Sequence, residues 1–410
     1  MTAAPPPERP VVRFLDRTSP PHIATLVAVT GISALTMNIF LPSLPGMTAW
    51  FGTDYRVMQL SVSLYLGFSA GLQVIIGPIS DRFGRRPVLL WSIALFLLAT
   101  VGTLLAPNTG SFLLFRMLQA VVAAGMVLSR AVIRDMVPVE EAASMLGYVT
   151  MGMSMVPMVG PMIGGILDEA YGWQANFALL LILGIATFWL LWSDLGETST
   201  GPRIRFAEQI QQYPELLTSP RFWGYSMAAA FASGAFFAYL GGAPYVGSEV
   251  FHLPPGRLGL YLAAPALGYA YGNYLSGRYA ARIGIDRMIL GGAVLTVAAM
   301  ALLTVLCLGS IAGPGIFFGL VIAVGLGNGM VLPSANAGML SVRPGLSGTA
   351  SGLGGAIMIG GGAGLSALAG WALGLGGGAA PLAALMLACA MAAVASILLV
   401  IRRNARLLRG

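Results

Sequence analysis

Charged residues cut this chain into uncharged stretches whose lengths fit one or two crossings of a lipid bilayer. A bilayer core takes about 20 consecutive apolar residues per helix. No charge interrupts Ile23 to Thr53 or Val57 to Ser80, and the runs Met288 to Val342 and Pro344 to Ile401 are each long enough for two helices. Composition agrees: 57% of the 410 residues are hydrophobic and 9% are charged, against about 25% charged in a soluble domain. A water-soluble body of this size needs far more polar surface. The 55 glycines suit membrane helices, which approach one another through small residues.

Read in order, the fences predict twelve helices. Helix 1 lies within Ile23 to Thr53, its exit marked by Pro42 and Pro45, and helix 2 is Val57 to Ser80. Helix 3 starts at Pro87 and ends before a turn at Pro107 to Gly110. Helix 4 runs from Ser111 to Asp135, helix 5 from Ala142 to Leu167 and helix 6 from Trp173 to Ser193. The longest internal polar segment follows, Asp194 to Arg221. Helix 7 is then Phe222 to Gly247 and helix 8 Leu258 to Gly277. The two long runs split at Gly313-Pro314-Gly315 and near Gly376-Gly377-Gly378. The expected division is a disordered tail over 1–21, a first six-helix bundle over 22–194, a cytoplasmic linker over 195–221, a second bundle over 222–402 and a basic tail over 403–410. The first apolar stretch is too long for a cleavable signal peptide.

Arginine placement predicts the orientation. Cytoplasmic loops carry the excess of basic residues. With both termini in the cytoplasm, nineteen of the 22 arginines fall inside, Arg56 and Arg257 fall outside, and Arg116 lies within helix 4. All 22 cations are arginine. Without a lysine the chain cannot carry a P-loop, whose Lys reaches nucleotide phosphates, so it is no ATP-driven pump by itself. The arginines are dispersed between apolar segments, which argues against a nucleic-acid face. Cys307 and Cys389 lie in apolar runs without metal-ligand spacing, and His22 and His252 lie outside the apolar runs. No metal or other cofactor is expected.

The two halves share a loop pattern. Gly77, Arg82 and Gly84, after helix 2, recur at constant offset as Gly277, Arg282 and Gly284 after helix 8. Parallel six-helix repeats are a known transporter architecture. The stretch Gly77-Pro-Ile-Ser-Asp81-Arg82-Phe-Gly84-Arg85-Arg86 resembles the loop signature of the major facilitator superfamily. Arg116-Met-Leu-Gln119-Ala120 is similar to that superfamily's Arg-x-x-Gln-Gly motif, with Ala in the last place. Gly160-Pro161-Met-Ile-Gly164-Gly165 resembles the helix 5 motif of its drug:proton antiporters. Leu41-Pro42-Ser43-Leu44-Pro45 resembles the Leu-Pro-x-Leu-Pro of the bicyclomycin/chloramphenicol-resistance subfamily, which usually has Asp where this chain has Asn38.

The resemblance implies an all-α integral membrane fold, with two six-helix bundles related by a pseudo-two-fold axis. It also implies a monomeric exporter of small amphipathic molecules in a bacterial inner membrane, with protons as the coupling ion. A transporter or facilitator of sugars, nucleosides or amino acids is the alternative. Nothing in the chain supports a membrane-embedded enzyme or a scaffold.

The residues themselves suggest roles. Arg82, Arg85 and Arg86 serve as topology signals or as part of a latch between the halves. Asp81 has two expected partners for such a latch, Arg134 or the N-terminal end of helix 11 near Ser347 and Gly348. Arg116, a charge inside a helix, is expected to face the bundle interior, with Gln119 one turn away on the same face. A proton-coupled antiporter needs a titratable carboxylate reachable from both sides. None of the fifteen acids lies at the centre of a predicted helix. Asp135, Asp168 and Glu169, at helix ends, are the candidates, and Asn38 cannot titrate. Pro157, Gly160, Pro161, Gly164 and Gly165 would bend helix 5 and let it pack tightly. Candidate cavity residues are Asn38, Phe236, Tyr239, Tyr269, Asn273, Asn328 and Asn336.

Overall fold

The computed structural model describes residues 13–136, 156, 159–198, 213–342 and 347–407. The expected helices form wherever their residues are described, the expected start of helix 5 at Ala142 lying outside them, and their breaks follow the prolines and glycines. α1 runs Ile23–Asn38, passes through a 3-10 turn at Leu41–Ser43 and resumes as Leu44–Trp50. Pro42 and Pro45 were expected to mark its exit. Each instead sits in the first turn of a new helical piece, where a missing N–H costs nothing and the fixed φ is already helical. They kink α1 rather than end it.

α2 comprises Tyr55–Met58 and Leu60–Phe83, its start capped by the Asp54 carboxylate on the Arg56 N–H. α3 is Arg85–Leu104. α4 is Thr109–Gln119, a 3-10 turn Ala120–Ala123 and Ala124–Met136, and opens with a reciprocal capping box between Asn108 and Ser111. α5 is described over 159–171, and α6 is Gln174–Asp194. A helical turn at Tyr213–Leu217 precedes α7, Pro220–Tyr245, which finishes in a π turn over Val246–Val250. α8 is Pro255–Leu262 continued as Ala264–Ile283. α9, α10, α11 and α12 are Ile285–Leu308, Pro314–Val342, Ser347–Leu373 and Ala380–Leu407. Among the described residues, 10 helices are long and apolar enough to cross a bilayer.

The helices pack as two halves. In the first, α3 packs on α4 and α6, and α1 on α6; in the second, α10 packs on α8 and α9, and α12 on α7 and α9. Among the described residues, α2 and α11 make the most extensive contact between the halves. The loop repeat has a structural counterpart. Gly84 (φ 98°) ends α2 and starts α3, and Gly284 (φ 90°) does the same between α8 and α9. Only glycine takes that left-handed backbone without strain.

The described part of each expected tail is ordered. Residues 13–21 are tied to the end of α6, where the buried Asp194 carboxylate accepts from the Leu15 N–H (2.7 Å), the His22 N–H (2.8 Å) and the Thr25 hydroxyl (2.5 Å). At the other terminus α12 continues to Leu407, so the chain past residue 403 starts as helix.

Candidate functional site

The helix directions give the bundle two ends. One carries the α2–α3 and α8–α9 turns and their arginines, and is called the basic end below. At this end Arg85 bridges two carboxylates, Asp81 at 2.5 Å and Asp135 at 3.1 Å. Among the described residues the partner of Asp81 is Arg85, four residues on. The two partners expected for it, Arg134 and the helix 11 start at Ser347 and Gly348, lie outside what is described of the side chains and their surroundings. Glu197, just past α6, accepts from the backbone N–H groups of Arg85 (2.9 Å) and Arg86 (3.3 Å). It thereby caps α3 with negative charge where the helix dipole favours it. Gly84 makes room: a Cβ there would lie 2.4 Å from the Glu197 carboxylate. Arg86 donates to the Leu195 carbonyl at 2.7 Å and lies over the Trp192 ring. Arg82 lies over Phe83, and Gly77 has open space around it. These ties stay within the first half.

Arg116 occupies the interior of the first half, 1% exposed. Its guanidinium donates to the Thr36 carbonyl (2.7 Å) and to Gln119 Oε1 (2.8 Å), and Gln119 in turn donates to Thr100 Oγ1 (2.8 Å). Phe40 and Tyr65 place their rings 4.3 Å from its Cζ. The cation is held by a carbonyl, an amide and two π faces, with no ion pair to a carboxylate among the described residues. Asp135, Asp168 and Glu169 lie elsewhere.

Asn38, expected at a cavity, is buried in this structure. It is 1% exposed, donates to Ala34 O at 3.3 Å, and leaves Oδ1 without a hydrogen-bond partner. It is the last residue of the first piece of α1 and faces α5, where a Cβ on Gly160 would come within 3.8 Å of it. Tyr239 is likewise buried, its hydroxyl on the Tyr261 carbonyl and its ring beside Phe236 and Phe318. Tyr269 and Asn273 are partly buried, the amide spent on the Tyr269 carbonyl of its own helix. On α10, Asn328 is buried and Asn336 exposed.

The end away from the arginine loops is closed by hydrogen bonds between the halves. The Tyr55 hydroxyl donates to the Gly241 carbonyl (2.9 Å), and Gln59 Nε2 to the carbonyl (2.6 Å) and hydroxyl (2.9 Å) of Ser366. Arg56 reaches the Gly374 carbonyl, and the Glu169 carboxylate accepts from the Gly256 N–H at 3.0 Å. Residues 159–171 supply the packing beneath. A Cβ on Gly164 would meet Ile39 O of α1 at 1.7 Å, and one on Gly165 would meet Pro255 O of α8 at 2.2 Å. A Cβ on Gly259 would in turn meet Pro161 O at 2.2 Å. Small residues thus let α5 touch α1 and α8 backbone to backbone. Pro157 lies outside the described residues. Asp168 is hydrogen-bonded by the Ser43 hydroxyl, which also accepts from Asn176.

Sequence reasoning missed Tyr55, Gln59, Ser366, Gly256, Asp194 and Glu197. Gln59, a polar amide inside an apolar run, and Tyr55 at the start of helix 2 were the available signal for the seal. The acids after helix 6 looked like linker.

A family model described as Major Facilitator Superfamily matches residues 26–367. A Bacillus subtilis (strain 168) protein named as the uncharacterized MFS-type transporter YdgK is 31% identical over 296 residues, 70% of this chain and 72% of that one. A Pseudomonas aeruginosa chloramphenicol resistance protein is 33% identical over 221 residues, 52% of this chain and 51% of that one. This chain therefore matches about half the length of the second relative. In fold, it resembles the crystal structure of a bacterial homolog of the human lysosomal transporter Spinster. The TM-score is 0.70 at 16% identity, over 93% of this chain and 96% of the other.

Proposed function

This chain belongs to the Major Facilitator Superfamily, a membrane transporter family, and on that premise we propose that it exports small amphipathic molecules from bacterial cytoplasm by alternating access, coupled to proton entry. The proposed orientation puts the basic end in the cytoplasm, in line with the charge rule. The closed end then faces outward. One observation carries the reading: among the described residues, hydrogen bonds between the halves gather at that end, from Tyr55, Arg56, Gln59 and Glu169. Ties made in one state and broken in the other bias a two-state equilibrium, and these must break for a substrate to leave outward. The flush contacts of Gly164 and Gly165 with α1 and α8 suit a seal that opens by separating rigid bodies. The chloramphenicol resistance relative supports drug-like cargo.

In this reading Arg116 positions helices rather than binding cargo, since both terminal nitrogens donate within the protein and both faces of the guanidinium are covered by rings. The coupling carboxylate is sought among Asp135, Asp168 and Glu169. A second reading, facilitated diffusion without protons, draws on Asn38, a buried amide where the related subfamily usually has a titratable Asp.

Proteoliposomes carrying an internal pH indicator separate these readings. Amphipathic cations, chloramphenicol-like neutral drugs and sugars would be added in turn. Proton movement on adding an amphipathic compound is expected. Drug flux with no proton movement would transfer the case to the facilitator, and flux of sugars alone would sink the exporter.

A further inference from the structure

α2 and α3 join at Gly84, and beside that turn lies a groove of about 370 Å³ that no side chain fills. Ile79 and Phe83 of α2 form one wall, Pro87, Trp91 and Leu95 of α3 the other, and Val121 of α4 adds a third side. The stripe of α3 bordering the groove, Trp91, Leu95 and Leu98, is exposed and apolar, and on a spanning helix such a face meets lipid. From Pro87 to Leu95 α3 advances about 12 Å, close to the roughly 15 Å of hydrocarbon in one leaflet. The groove therefore has the length and chemistry of a slot for one acyl chain.

Its mouth, at the Gly84 turn, is cationic. Arg82 is exposed there, with its Cζ 5.4 Å from the centre of the Phe83 ring. The neighbouring acids are engaged elsewhere: Asp81 and Asp135 pair with Arg85, and Glu197 accepts from the backbone of Arg85 and Arg86. Among the described residues no carboxylate pairs with Arg82. A guanidinium stacked on a ring keeps its edge free, and that edge binds a phosphate through two parallel N–H···O bonds. Trp91 and Phe83, 75% and 63% exposed, flank the mouth, and tryptophan favours the headgroup level. We propose that this groove binds an anionic glycerophospholipid of the leaflet at the basic end, with one acyl chain between α2 and α3 and the phosphate on Arg82. A zwitterionic headgroup fits less well, because the carboxylates its ammonium would seek are already held. The site is independent of cargo, of proton coupling and of the orientation of the chain.

Quenching of Trp91 by brominated lipid reads the site. The full chain is reconstituted in phosphatidylcholine nanodiscs titrated with dibrominated phosphatidylglycerol or dibrominated phosphatidylcholine. The signal of Trp91 is the difference between the parent and Trp91→Phe. Half-maximal quenching of that signal should need about five-fold less phosphatidylglycerol than phosphatidylcholine, the scale of one basic residue at an anionic headgroup. Arg82→Gln should remove the preference while both lipids still quench, because the groove keeps its chain. Arg282→Gln, at the exposed counterpart of Arg82 in the second half, removes the same charge elsewhere and should leave the preference intact. Unbrominated phosphatidylglycerol should restore the fluorescence, and inorganic phosphate at matched ionic strength should not. Equal quenching of Trp91 by the two lipids in the parent would overturn the site. So would a preference that survives Arg82→Gln or disappears in Arg282→Gln, or relief of quenching by inorganic phosphate.

Discussion

Arg116 donates at 2.7 Å to the carbonyl of Thr36, and the kink in α1 makes that bond available. Thr36 lies in the last turn of Ile23–Asn38, where carbonyls lose their regular helix partners. Phe40, just past the break, turns its ring onto the same guanidinium. The proline motif of one helix therefore builds the socket for the buried charge of another.

Removing that charge should loosen the first half. Arg116→Ala leaves the Thr36 carbonyl and Gln119 Oε1 unpaired, at about 1–3 kcal/mol for each buried acceptor. Arg116→Lys keeps a cation but lacks the planar fork that bonds twice while stacked between rings. Thermal melting followed by size-exclusion chromatography in detergent should rank the parent above Lys and Lys above Ala. An Ala variant melting with the parent would disprove the socket.

Gln59 spans the closed end with two hydrogen bonds to Ser366. Gln59→Leu should weaken the seal by about 1–3 kcal/mol, since the Ser366 groups lose a buried partner. The measurement is maleimide labelling of a cysteine placed at Ser63, which is buried one turn further into α2, in a Cys307→Ser, Cys389→Ser background. Labelling should speed up several-fold in the Gln59→Leu background. Unchanged labelling would mean that the flush helix packing seals this end by itself.

Asp194 holds residues 13–25 through three donors. Hydrogen bonds to a charged acceptor contribute about 1.5–3 kcal/mol. Asp194→Asn should therefore release the segment, and Asp194→Ala more so. Limited trypsin digestion reads this at Arg13 and Arg17, where cleavage should accelerate in both variants. Equal cleavage rates would show that the segment is held by its apolar contacts.

The pairing of α8 with α10 should tolerate no added methyl at its closest points. A Cβ on Gly325 would sit 1.7 Å from the Pro265 carbonyl oxygen, whereas Gly319, on the same helix, has open space around it. Overpacking that only shifts side chains costs about 1–3 kcal/mol; here a backbone would have to move. Gly325→Ala should yield little folded protein by fluorescence-detected chromatography, and Gly319→Ala should match the parent.

Helix count and loop pattern were readable in the chain because they depend on local sequence. Runs free of charge near 20 residues long can form only a few structures in lipid, and Gly84 and Gly284 announce the same turn in each half. Arg116 with Gln119 was readable too, since three residues along a helix set them on one face. The prolines of α1 misled because Pro both ends a helix and starts one, and the choice depends on what packs around it.

What the chain by itself determined, then, is the set of helices, their breaks and the face each polar residue takes on its own helix. The tertiary structure decided which faces meet. Asp194 and Glu197 read as linker acids until α6 brought them to the N-terminal segment and to α3, and the packing of Asn38 against α5 was set by the fold. Gln59 with Ser366, and Glu169 with Gly256, are pairs far apart in sequence. Each bond spans only about 3 Å, so it forms only when two helices reach the right depth and rotation. That is a property of the packed bundle, and no residue spacing encodes it.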